Sequence, residues 1–147
     1  MDKMVWIALA FVAGCAIPLN GAFNARLGAA AGSPLHASLI SFAVGTAAIA
    51  AYVLATRQSV SWGGFLQAPW YAWLAGIFGA FSLTVIILTY PRLGPGLGFG
   101  LVVAGQLLAS ILLEHFNILV AEAHPITSLR LLGLAFVLGG VVLIRTF

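Results

Sequence analysis

Trp70–Tyr90 reads WYAWLAGIFGAFSLTVIILTY, twenty-one residues without a charge. A transmembrane helix needs about 20 predominantly apolar residues. Trp70, Tyr71 and Trp73 at one end and Tyr90 at the other sit where aromatic belts form at the membrane surface. Four further runs share this character: Met4–Leu27, Pro34–Thr56, Gly96–His115 and Leu129–Phe147. Barrel strands would alternate in segments of about ten residues, and no such alternation is present. A helix satisfies its own backbone hydrogen bonds, as a lipid surround requires. The expected fold class is therefore an all-α integral membrane protein. Five transmembrane helices, approximately 4–27, 34–56, 70–90, 96–115 and 129–147, form one transmembrane domain over residues 1–147.

Composition points the same way. Of 147 residues, 63% are hydrophobic and 6% charged, against about 25% charged in ordinary soluble domains. Six Lys/Arg and three Asp/Glu could not cover a soluble globule. A soluble enzyme, a nucleic-acid binder and a disordered chain are excluded at this level. The net charge of +3 is spread over isolated basic residues, so no run of phosphates would be matched. Cys15 is the single cysteine, which excludes an internal disulfide and a Cys-rich metal site.

Breakers punctuate the runs. Gly32-Ser33-Pro34 places Ser33 as N-cap and Pro34 at the first helical position. Pro69 opens the third span, and Pro91, Gly94, Pro95 and Gly96 separate the third from the fourth. Asn117 to Ser128 is the most polar loop. Trp62 to Gln67 reads as a short interfacial segment. Val12-Ala13-Gly14-Cys15 has the look of a lipoprotein processing site, but hydrophobicity continues to Phe23, which favours a retained first helix over a cleaved signal.

Charge placement carries the functional argument. With five spans, Lys3, Arg57 and Arg130 fall on one side of the membrane, and Arg26, Arg92 and Arg145 on the other. Orientation normally follows an excess of Lys/Arg in cytoplasmic loops, and here the tally is three against three. The expectation is dual topology, with copies inserted both ways and paired antiparallel. A dominant single charge or an orienting partner would be the alternative. An antiparallel pair makes a ten-helix bundle with the inverted-repeat symmetry of many secondary transporters, and so points to alternating access.

Several segments taken together resemble a known family: Asn20–Gly28 (NGAFNARLG), Pro34–Phe42 (PLHASLISF) with Gly45-Thr46, Pro69–Gly76 (PWYAWLAG), Ala104-Gly105-Gln106-Leu107, and Arg130–Gly133 (RLLG) with Gly139-Gly140. Their order and spacing resemble the small YdcZ-like (DUF606) proteins of the bacterial inner membrane, in the drug/metabolite transporter superfamily, over nearly the whole chain. The resemblance implies a five-helix inner-membrane subunit that works as a dual-topology homodimer, as a heterodimer of opposed paralogues, or as a fused tandem. It also implies kinship with small multidrug resistance transporters, whose first helix carries a central glutamate. The first helix here has no acid, so that cation chemistry does not carry over. Asn20 stands where family members often have Gln.

Polar side chains inside a bilayer are costly unless they pair or line water. Gln106 lies mid-way along the fourth span and is read as a solute-binding amide or as interhelical glue. Asn20 and Asn24, spaced i, i+4, share one helix face beside Pro18, as a binding element at a kink or as packing. Ser41, with Phe42 and Phe99 as walls and Tyr90 near an entrance, completes the candidate solute site. Glu114 with His115 is read as a proton or ion site, or as an interfacial pair; His36 and His124 lack metal-ligand spacing. Gly45, Gly76, Gly100 and Gly139 lie on small-residue stripes that allow close helix approach. No nucleophile with its base is present, and neither an enzyme nor a cofactor is expected. The reading is a secondary transporter for a neutral, weakly polar or amphiphilic solute. A passive channel formed by a dual-topology dimer, or an accessory subunit pairing with an opposed paralogue, are the alternatives.

Overall fold

The computed structural model describes residues 3–120 and 122–146. Asp2 and the expected end of the fifth span at Phe147 lie outside the described residues. All regular structure described is helical: α1 (Lys3–Ala31), α2 (Pro34–Ala55), α3 (Trp62–Gln67), a 3₁₀ turn (Trp70–Leu74), α4 (Ala75–His115) and α5 (Ser128–Thr146). Four stretches, Lys3–Ala31, Pro34–Ala55, Trp70–His115 and Ser128–Thr146, are long and apolar enough to cross a membrane. The chain divides into two compact units, Met1–Pro91 and Arg92–Phe147.

Three helix ends close in the same way. Gly32, at φ 65°, follows α1; its N–H donates to the Ala29 carbonyl (3.4 Å) and the Ser33 N–H to that of Gly28 (3.1 Å). This Schellman closure needs a residue in the left-handed region, which glycine supplies without a Cβ penalty. Ser33 then caps α2, its hydroxyl accepting the His36 N–H at 3.4 Å, with Pro34 at the first helical position. The chain thus reverses between α1 and α2 in two residues. Asn117 (φ 52°) closes α4 by the same bonds, from Asn117 N–H to Glu114 and from Ile118 N–H to Leu113. At the end of α2 the left-handed residue is Arg57 (φ 48°), an unfavourable choice for a residue with a Cβ. Arg57→Gly is therefore expected to stabilise the protein by about 0.5–1 kcal/mol, measured by thermal unfolding in detergent.

Two expected boundaries shift. The first helix does not stop at Leu27: Gly28 and the alanines that follow continue it to Ala31, because alanine has the highest helix propensity. Pro91 does not end the third span either. The helix runs on and leaves helical geometry at Gly94, with φ 75° and ψ 163°. Proline removes its own donor but constrains the residue before it, so Pro95 rather than Pro91 marks the break. Trp62–Gln67 is helical, capped by the Ser61 hydroxyl accepting from the Gly64 N–H at 3.3 Å.

The interior of the first unit is made of small and hydrogen-bonded groups. Gly21, Asn24 and Gly28 of α1 are buried, as are Ala37, Ser38 and Ile87. A Cβ placed on Gly28 would lie 3.0 Å from Ile87 Cγ2 and 3.6 Å from Ala37 Cβ, so glycine here sets how closely the helices approach. The Ser38 and Thr84 hydroxyls meet at 2.8 Å. Thr84 donates to the Ala80 carbonyl (2.8 Å), which leaves Ser38 as donor to Thr84. Most large apolar side chains lie outside this interior: Leu54 is 77% exposed and Leu35 69%, the surface a hydrocarbon surround would cover.

In the second unit, Ala104 and Val141 are buried. A Cβ on Gly100 would sit 2.9 Å from Val141 Cγ2, and one on Gly96 would sit 3.3 Å from Ile144 Cγ2. The Gly96, Gly100, Ala104 stripe thus faces α5. Gly100→Ala is expected to cost about 1–2 kcal/mol through overpacking, whereas Gly105→Ala, with open space around its Cβ position, should cost nothing measurable. Paired melting curves check the contrast. No neighbour lies within 4 Å of the Cβ positions of Gly45, Gly76 or Gly139.

Candidate functional site

The first unit contains a cavity of about 380 Å³, lined by Asn20 of α1, by Ser41, Phe42, Gly45, Thr46 and Ile49 of α2, and by Leu83 of α4. The five α2 residues recur at three- and four-residue steps, so one helix face supplies most of the lining. Gly45 leaves an opening where a side chain would intrude. Phe42 also touches α4, its Cζ lying 3.4 Å from the Cβ position of Gly79. None of the lining residues carries a charge.

The polar groups of this cavity divide into a held part and an open part. Asn24 is 4% exposed and its Nδ2 donates to both the main-chain O and the Oδ1 of Asn20, at 3.0 Å each. That bifurcated donation occupies the Asn20 carbonyl group and leaves its Nδ2 hydrogens as donors. Thr56, Thr84, Thr89 and Thr146 each donate to the carbonyl four residues earlier, the common habit of helical threonine. Thr46 and Ser41 make no hydrogen bond among the described residues. An amide N–H₂ and two hydroxyls therefore remain available beside the Phe42 ring and two aliphatic walls.

Asn20, Ser41, Phe42 and Gly45 are thus brought together, with Asn24 behind Asn20. Sequence reasoning missed Thr46, Ile49 and Leu83. The spacing of Phe42, Gly45, Thr46 and Ile49 along one helix face was the signal for two of them. Tyr90 lines a different groove, with Arg26. Gln106 is exposed and Phe99 half-buried, both in the second unit.

Glu114 is held in a clasp. Its carboxylate pairs with the Arg130 guanidinium and accepts from the Ser110 hydroxyl at 3.4 Å. Arg130 also donates to the His124 carbonyl (3.0 Å), and the His124 N–H donates to the Glu114 carbonyl (3.2 Å). His115 Nδ1 accepts the Ile126 N–H at 3.2 Å, so the neutral imidazole carries its proton on Nε2. The two side chains are thus engaged with α5 and the preceding loop. Glu114→Gln is expected to lower the melting temperature in detergent at low salt and to bring its salt dependence nearer to zero, because the variant lacks the screened ion pair. Among the described residues, no group of three or more His, Cys, Asp or Glu is placed to hold a metal ion.

The uncharged cavity and the apolar helices around it are what a membrane carrier would need. A family model described as "Putative inner membrane exporter, YdcZ" matches residues 5–143. The chain belongs to this family. It is accordingly a multi-pass inner-membrane protein of a transport family. No curated protein and no solved structure matches it.

Proposed function

We propose that this YdcZ-family protein is a secondary transporter that exports a small, uncharged, amphiphilic solute by alternating access, using the Asn20–Ser41–Thr46 cavity as its binding site. The observation that carries this reading is the set of unengaged donors on Asn20, Ser41 and Thr46 against Phe42, Ile49 and Leu83. Such a site suits a solute with a carbonyl or ether acceptor on an apolar or aromatic body. A hard cation would find no counter-charge there.

In this reading the chain crosses the membrane five times. The 41 residues of α4 would span about 60 Å as one straight helix, twice the hydrocarbon thickness of about 30 Å. Divided at Gly94, they make two crossings and the chain makes five. The odd number and the even distribution of cations favour an antiparallel homodimer, or a pair with an opposed paralogue, with inverted symmetry. Tyr90 of the first unit, and Gln106 and Phe99 of the second taken by itself, are further proposed solute-binding residues.

The test is a binding and counterflow series. Uncharged aromatic amides and ethers should raise the melting temperature of the purified protein, and quaternary ammonium compounds should not. Those that bind should show counterflow in proteoliposomes, with saturation. Conductance without exchange would replace the carrier with a channel. Reporters fused to the C-terminus should give signal on both sides of the membrane, and signal confined to one side would reject the antiparallel pair.

A further inference from the structure

The first unit has a second groove of about 490 Å³, lined by Ala22, Phe23, Ala25, Arg26, Ala29, Tyr90 and Pro91. Arg26 is exposed and has no ion pair or hydrogen bond among the described residues. The described acids, Glu114 and Glu122, both belong to the other unit. Arg130 in that unit, by contrast, is engaged by Glu114. Arg26 lies less than two turns from the end of α1 at Ala31, and Pro91 lies one turn before the break in α4. The groove therefore lies near helix ends, where a guanidinium on a long apolar stem reaches headgroup level. Three alanines leave the trough open, and Phe23 and Tyr90 add apolar and aromatic surface.

From this we infer that the groove is a binding site for an anionic phospholipid, the headgroup phosphate on Arg26 and an acyl chain along the alanine trough. Charge complementarity selects the occupant: a guanidinium can hold two phosphate oxygens at once, and the remaining lining is apolar. A free phosphate would meet the cation but gain nothing from the trough. The second unit offers an independent parallel. There, Arg145 stands at an apolar groove of about 290 Å³ with Leu93, Leu97, Leu101, Val141 and Val142. The inference concerns this groove alone and does not depend on the solute cavity.

Native mass spectrometry of the detergent-purified full chain tests it, with an equimolar mixture of dioleoyl phosphatidylglycerol and dioleoyl phosphatidylcholine. The wild type should retain the anionic lipid preferentially. Arg26→Gln should reduce that preference about fivefold, the factor one basic side chain contributes at an anionic surface. Arg57→Gln, a charge outside the groove, should leave it unchanged. Ala29→Phe, which fills the trough and keeps the charge, should release both lipids, and it decides the matter if Arg26→Gln does not fold. Equal retention of the two lipids by the wild type would overturn the site, as would an undiminished preference in Arg26→Gln or in Ala29→Phe. Displacement of the lipid by millimolar inorganic phosphate would assign the groove to a free anion instead.

Discussion

Gly94→Val is expected to destabilise the protein by about 3 kcal/mol, enough to remove most folded material from a detergent extract. The reason lies in the backbone. At φ 75° and ψ 163°, residue 94 occupies a region that essentially only glycine visits, and other residues held in such regions cost about 1–3 kcal/mol. A β-branched side chain stands at the upper end of that range. No atom lies within 4 Å of the Cβ position, so a clash with neighbouring groups would not explain the result. Gly94→Ala should show most of the same cost, without any change in core volume.

A second substitution separates two kinds of positive φ. Gly32, at φ 65°, closes α1 in a Schellman motif, a position where asparagine is also tolerated. Gly32→Asn should therefore cost less than about 1 kcal/mol. Gly94→Asn should behave like Gly94→Ala, because a ψ near 163° is not the left-handed helical conformation that asparagine favours. Unfolding midpoints in detergent for the four variants give the comparison. Equal losses at the two positions would mean that the break in α4 is held by something other than its backbone angles. The break also sets the topology argument, since a continuous α4 would be too long for a single crossing.

The apolar, membrane-spanning type of helix was legible because length and hydropathy are properties of a segment alone; the structure shows four such stretches where the sequence suggests five runs. Helix ends were legible where a special residue produced them, at Gly32 and Asn117. They were not where an arginine took the left-handed position at 57, or where alanines carried α1 past Leu27. The break in α4 was legible within Pro91–Gly96, but not its residue: a proline removes one bond, whereas the pair Gly94-Pro95 combines a free backbone with a constraint on it. In the candidate site, the i, i+4 relation of Asn20 and Asn24 announced their shared face, but not which of them holds the other. Thr46 gave no signal by type, because most threonines on these helices bond their own backbone. The Glu114–Arg130 pair joins residues sixteen apart across a loop without periodicity, and only three-dimensional structure shows such a pairing.

Asn24 carries the second large expectation. Asn24→Leu should weaken binding of the best uncharged ligand about tenfold, while lowering stability by only about 1–2 kcal/mol. The stability term is small because interhelical-type polar contacts in membranes are worth about 0.6 kcal/mol on average, and leucine fills a similar volume. The binding term is larger because Asn24 acts through Asn20. Its Nδ2 pins both the main-chain O and the Oδ1 of Asn20 at 3.0 Å, and so points the Asn20 amino group away from α1's own bonds. Released from that hold, the Asn20 amide turns freely, and its donor is no longer pre-organised for the solute; fixing such a group in advance is what affinity rewards. Asn20→Leu should lose as much binding, and the double variant no more than Asn20→Leu alone, since a residue that acts only through another adds nothing once its partner is gone. Additive losses in the double-mutant cycle would show that Asn24 meets the solute itself, and unchanged binding in Asn24→Leu would remove the Asn20 amide from the site.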